Sequence, residues 1–108
     1  MQVTVSNEID TVGTSLQGEM DISYDEIVAK LGEPTSNGDG YKVDAEWSLK
    51  FEDGTIATIY NYKTGPNYDF NEGFEVADIR DWHIGGSFES DGFGRAYKLV
   101  MELFGDGS

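Results

Sequence analysis

Val43-Asp44-Ala45-Glu46-Trp47-Ser48-Leu49-Lys50-Phe51, then Glu52-Asp53-Gly54, then Thr55-Ile56-Ala57-Thr58-Ile59-Tyr60-Asn61-Tyr62, is the stretch whose reading decides the fold. Val43, Ala45, Trp47, Leu49 and Phe51 alternate with Asp44, Glu46, Ser48 and Lys50, the period of a strand with one buried face. Asp53-Gly54 is a preferred pair for a two-residue type I′ turn. The return strand then runs from Thr55 to Tyr62. A two-residue loop sets Phe51 opposite Ile56, Leu49 opposite Thr58, Trp47 opposite Tyr60 and Ala45 opposite Tyr62, one aromatic-rich core face. The other face pairs Lys50 with Ala57, Ser48 with Ile59, Glu46 with Asn61 and Asp44 with Lys63, the last a favourable charge pair.

Outward from the hairpin, Ser23-Tyr24-Asp25-Glu26 matches a capping box, with Ser23 as N-cap. Tyr24, Ile27, Val28 and Leu31 form an apolar stripe at helical spacing, and Gly32 with Pro34 ends it, which predicts a helix over 24–31. Residues 2–5 alternate as a short strand, and 13–20 fit either a strand or an ordered loop. A third strand is predicted over 79–84, with Arg80, Trp82 and Ile84 on one face, Ile79, Asp81 and His83 on the other, and Gly85-Gly86 as its end. A second helix fits 92–104, capped by Ser90 or Asp91, with Phe93, Ala96, Tyr97, Val100, Met101 and Phe104 on its stripe. Residues 35–41 and 64–75 are loops by composition. The expected fold is α+β: a small antiparallel sheet built on a central hairpin, with two helices packed on one face. Residues 1–108 form a single domain, with 1–12 and 105–108 loosely ordered.

The charge bounds the function. The 108 residues carry 21 acidic and 7 basic side chains, a formal net charge of −14. A body this negative repels nucleic acid and anionic membranes and is drawn to basic surfaces on other proteins. With no cysteine, disulfides and thiolate-bound metals are excluded. Met1-Gln2-Val3-Thr4-Val5 lacks the basic and apolar regions of a signal peptide, and no run approaches the ~20 apolar residues of a membrane span. The expectation is a soluble cytoplasmic protein.

Thr14-Ser15-Leu16-Gln17-Gly18, Leu31-Gly32-Glu33-Pro34, Asp53-Gly54-Thr55-Ile56-Ala57-Thr58-Ile59-Tyr60-Asn61-Tyr62-Lys63 and Asp81-Trp82-His83-Ile84-Gly85-Gly86 together resemble stretches of a set of short uncharacterised proteins from tailed bacteriophages. The resemblance covers residues 13–103, and its most specific part is the Trp and His beside a Gly pair. It implies a phage or prophage origin and the cytoplasm of an infected bacterium. That family carries no assigned activity, so no functional residue carries over.

Carboxylates fall into two groups: Asp44, Glu46, Glu52 and Asp53 on the hairpin, and Asp69, Glu72, Glu75, Asp78, Asp81, Glu89 and Asp91 across 69–91. Alternate residues of a strand lie ~6.6 Å apart, so Asp44 and Glu46 come near the spacing of phosphates along a nucleic-acid strand. The plain alternative is that they keep the protein in solution. Tyr68, Phe70 and Phe74 stand among acids in the long loop, where exposed aromatics make hot spots against a basic partner, or else fold back over the sheet edge. His83 is the only histidine and no nucleophile motif accompanies it; a single histidine makes a poor zinc site, and the Asp69 stretch fails the calcium-loop pattern at its glycine and at Arg80. Gly85, Gly86 and Arg95, with His83, outline an alternative anion pocket.

The function expected from these residues is that of a non-enzymatic acidic binding protein. It would be a phage-encoded inhibitor, a DNA mimic, occupying a basic nucleic-acid-binding surface of a host defence or transcription protein. Asp44, Glu46, Asp69, Glu72, Glu75, Asp78, Tyr68 and Phe70 would form the contact. The alternatives are a small-nucleotide-sequestering module built on His83, Gly85, Gly86 and Arg95, and a homo-oligomeric accessory protein pairing through a sheet edge. No catalytic residue, cofactor, metal, nucleic-acid or membrane contact is expected.

Overall fold

A computed structural model of the chain describes residues 2–11, 13–36, 45–62, 76–87 and 94–105. The elements run β1 (Val3–Val5), β2 (Thr14–Asp21), α1 (Tyr24–Leu31), β3 (Glu46–Phe51), β4 (Ile56–Tyr60), a 3-10 turn at Val76–Asp78, β5 (Asp81–Ser87) and α2 (Arg95–Leu103). The five strands make one antiparallel sheet in the order β1-β3-β4-β5-β2, an α+β architecture. Residues 13–20, open between strand and loop on sequence, form most of the edge strand β2. β1 pairs with β3 at the opposite edge, Val3 against Phe51 and Val5 against Leu49, which holds this part of 1–12 in the ladder.

α1 forms where its sequence signals place it. The Ser23 hydroxyl accepts from the Glu26 N–H at 3.1 Å and donates to the Glu26 carboxylate at 3.2 Å. Gly32 closes the helix at φ 86°, a left-handed conformation that favours glycine, and its N–H donates to the Val28 carbonyl at 2.7 Å.

The hairpin exists, but its register differs by one residue from the two-residue-loop expectation. Glu46 pairs with Tyr60, Trp47 with Ile59, Ser48 with Thr58, Leu49 with Ala57 and Lys50 with Ile56. The cause is a three-residue loop, Glu52-Asp53-Gly54. The Phe51 N–H donates to the Thr55 carbonyl at 2.9 Å, the Gly54 N–H donates to the Phe51 carbonyl at 2.8 Å, and Gly54 sits at φ 95°. This is the turn-plus-bulge form of hairpin loop. Asp53 reinforces it by accepting from the Thr55 N–H at 3.0 Å. A slip of one residue moves a strand's side chains to the other face. Trp47, Leu49 and Phe51 therefore share the core face with Thr55, Ala57, Ile59 and Asn61, while Tyr60 and Ile56 leave it. The expected Asp44–Lys63 pair lies outside the described residues.

β5 is also shifted. It begins at Asp81, and Ile79 packs in the core instead of beside Asp81 and His83. Gly85 and Gly86 do not end the strand; they continue it. Glycine stands there because neighbours approach closely. A Cβ on Gly85 would meet the Thr58 hydroxyl at 2.6 Å, and one on Gly86 would overlap the Ala96 methyl of α2. α2 starts later than the expected 92, with Gly94 as N-cap, and buries Ala96, Leu99 and Val100. Ser90, Asp91, Phe93 and residues 106–108 lie outside the described residues.

The core centres on two indoles. Trp47 and Trp82 meet edge-on at 5.3 Å, with Tyr24 of α1 against both at 5.8 and 6.2 Å. Each indole N–H has a carbonyl: Trp47 donates to Gly32 at 2.9 Å and Trp82 to Ile79 at 3.2 Å. These bonds tie the end of α1 and the entry to β5 to the sheet while leaving no buried indole donor unmatched. Burial, aided by Glu33 and Asp25, raises the Tyr24 hydroxyl pKa.

Two outcomes follow from this packing. Gly86→Ala forces α2 away from the sheet and is expected to cost about 1–3 kcal/mol, read as a lower denaturant midpoint at unchanged m-value; a midpoint equal to that of the parent would mean the helix is not held by this contact. Asp53 is held at about 2, below its ordinary 3.8, first by the Thr55 N–H and then by Arg95. A carboxyl lowered on folding stabilises the native state above its unfolded value, and the contribution is lost as pH falls from ~4 to ~2. Asp53→Asn should flatten stability against pH across that window; parallel profiles would remove Asp53 from the acid response.

Candidate functional site: an acid-rimmed aromatic face

The register that buries Trp47 and Trp82 sends Tyr60, His83 and Gly85 to the opposite face of the sheet. Tyr60 lies directly across from His83 in the β4–β5 ladder, and Glu19 lies across from His83 in the β2–β5 ladder. The imidazole meets Tyr60 edge-on at 5.6 Å and stacks on Tyr62 at 5.7 Å, and its side chain is 17% exposed. The Tyr60 ring lies beside Gly85, its edge 3.5 Å from where a Cβ would stand, an ordinary contact distance. Burial raises the Tyr60 hydroxyl pKa, helped by Glu46 and Tyr62. Tyr62 is 38% exposed and Leu16, across from Gly85, is 49% exposed.

Carboxylates rim these rings. Glu19, Asp21 and Asp81 are exposed on β2 and β5, and Glu46 is half-buried across from Tyr60. Asp21 and Asp81 are direct cross-strand partners, a like-charge pairing that opposes the ladder. Arg80 offsets it by donating from Nε to Asp21 Oδ1 at 3.0 Å. Glu19 Oε1 stands 3.5 Å from His83 Nε2. A bulge at Leu16–Gly18 re-aims β2 here, so that the Gln17 side-chain amide oxygen, Oε1, accepts from the Tyr97 N–H of α2 at 3.1 Å and Gly18 admits the Tyr97 ring.

Of the residues read from sequence as a partner surface, Asp44, Tyr68, Asp69, Phe70, Glu72 and Glu75 lie outside the described residues. Glu46 joins the aromatic face, and Asp78 is exposed in the 3-10 turn. The alternative anion pocket does not assemble. His83 and Gly85 lie on the aromatic face, Gly86 points at Ala96 on the other, and Arg95 is ion-paired to Asp53 in the hairpin loop, its Nε donating to Oδ2 at 3.0 Å. Sequence reasoning missed Glu19, Asp21 and the outward placement of Tyr60. Ile56, Tyr60 and Tyr62 are as apolar as Ala57 and Ile59, so the pattern alone does not say which set faces the core; the three-residue loop was the available signal.

A scan against protein-family models found no match, and a search of curated proteins found none either. Among the described residues, no helix is long and apolar enough to cross a membrane. The site's chemistry therefore rests on its own geometry: flat aromatic area, a fixed imidazole, and carboxylates at the rim.

The Asp21–Asp81 pairing carries a stability cost that can be measured. Asp81→Asn should raise stability by about 0.2–1 kcal/mol at low salt, with the gain shrinking as salt screens the pair. A loss of stability at every ionic strength would mean that Asp81 has a favourable role in the isolated fold.

Proposed function

We propose that this chain is a non-enzymatic binding protein that covers a basic, nucleic-acid-binding surface of another protein. The observation carrying this reading is the aromatic face: Leu16, Tyr60, Tyr62 and His83 ringed by Glu19, Glu46, Asp21 and Asp81. In this reading α1 and α2 share one face of a sheet centred on the β3–β4 hairpin, and the other face is the contact surface. Aromatic rings supply short-range affinity and stack on arginine, while the rim carboxylates and the net charge of −14 steer the encounter. Of the acids in 69–91, Asp78 and Asp81 are exposed among the described residues; Asp44, Asp69, Glu72, Glu75, Glu89 and Asp91 add to the net charge of the chain. The resemblance to tailed-phage proteins directs the choice of partner to a host defence or transcription protein in the bacterial cytoplasm.

Nucleotide capture loses its support, because the residues it needs are divided between two faces and Arg95 is engaged by Asp53. The partner reading is tested by capture from bacterial lysate at low and high salt, followed by a nucleic-acid-binding assay on the captured protein. The expected result is a nucleic-acid-binding protein that is released by salt and loses its nucleic acid when this chain is added. Glu19→Lys, Asp21→Lys and Asp81→Lys together should weaken the complex by about tenfold or more with the fold retained by circular dichroism. Equal affinity of the charge-reversed protein, or undiminished nucleic-acid binding by the partner, would overturn the proposal.

A further inference from the structure

Glu19, Asp81 and His83 form a second kind of site within the aromatic face. One donor atom from each lies within 4.8 Å of the others. We propose that these three side chains bind a divalent transition-metal ion of the zinc type. The proposal does not depend on the partner reading, since it concerns an ion on the isolated chain.

The geometry favours an ion over a simple salt bridge. Glu19 Oε1 and His83 Nε2 stand 3.5 Å apart, longer than the 2.7–2.9 Å of a charge-assisted hydrogen bond. Two ligands of a tetrahedral ion with bonds of ~2.1 Å are ~3.4 Å apart, which matches. Asp81 alternates with His83 along β5, so both side chains leave the same face, and the β2–β5 ladder brings Glu19 across from His83. Asp81 is exposed, and one of its carboxylate oxygens lies within 4.8 Å of the Glu19 and His83 donor atoms. His83 is the fixed ligand, held between the Tyr60 and Tyr62 rings. Asp21 is engaged by Arg80, which leaves it outside the ligand set.

The donor set decides the class of ion. A lone histidine makes a poor zinc site, but the sheet adds two carboxylate oxygens that the sequence did not place beside it; one imidazole nitrogen with two carboxylates suits zinc and its first-row neighbours, whereas magnesium and calcium seek oxygen alone. Three protein ligands leave further positions for water. The ion also relieves a local excess of negative charge that Arg80 only partly offsets. It bridges the edge strand β2 to β5, so its binding stabilises the native chain specifically.

The test uses the full chain, stripped with EDTA, with zinc and magnesium chlorides as probes. Zinc is expected to raise the melting temperature saturably at one ion per chain, because a ligand that binds the native state alone adds stability. It should also shift the imidazole NMR resonances of His83, the only histidine. His83→Ala and Glu19→Gln should each weaken zinc binding by about tenfold or more, while Glu33→Gln leaves it unchanged. Glu19 is exposed at the sheet edge, so its variant keeps the test open if the histidine variant does not fold. The proposal is overturned by an equal response to magnesium, by a stoichiometry well above one, by unmoved His83 resonances, or by no saturation below ~1 mM zinc.

Discussion

The loop Glu52-Asp53-Gly54 sets which way every side chain of β4 points. Three residues, with Gly54 at φ 95°, pair Leu49 with Ala57 and Trp47 with Ile59. With one residue fewer, Tyr60 would sit beside Trp47 in the core and Ile59 would face outward. The loop is held from two directions. Asp53 accepts from the Thr55 N–H within the turn, and its other oxygen takes the Arg95 guanidinium from the start of α2. A local turn and a distant helix thus specify the same register, and agreement between levels is what makes a fold unique.

From that register the two faces acquire opposite characters. One carries Trp47, Trp82 and Ile84, which belong to one buried cluster with Ile27, Ala96 and Val100, and both indole N–H groups are satisfied. Closeness there depends on glycine: Gly86 lets Ala96 reach the sheet, and Gly18 admits Tyr97. The other face keeps small buried groups at its middle, Ser48, Thr58 and Gly85, with Tyr60 beside Gly85 and in ring contact with His83, which stacks on Tyr62. Its edge holds Asp21 opposite Asp81, an arrangement that a sequence selected for stability alone would avoid. Local breaches of this kind concentrate where a surface serves binding. A cation, whether a metal ion among Glu19, Asp81 and His83 or a basic side chain of a partner, meets the same electrostatic demand.

Much of the architecture was legible because its signals are local. Ser23 and Glu26 announce α1 and Gly32 ends it, all within hydrogen-bonding reach along the chain. The alternation from Ala45 to Phe51 announces β3 with its buried face correctly assigned. The register was not legible from hydrophobicity, since β4 is apolar on both sides. Gly85-Gly86 reads as a strand end by composition, yet the pair lies inside β5 because Thr58 and Ala96 occupy the space of the missing Cβ atoms. That contact involves residues distant in sequence.

By itself the sequence determined the charge, the α+β composition, α1 with its caps, and a hairpin around Asp53-Gly54. Those properties depend on residue identity and on neighbours within a few positions. Only the tertiary structure decided that β2 pairs with β5, that Tyr60 faces away from Trp47, and that Glu19 meets His83 and Asp81 while Gly86 and Arg95 are carried elsewhere. Strand pairing between remote segments is selected by burial of the whole sheet, and burial is a property of the assembled chain rather than of any one segment of it.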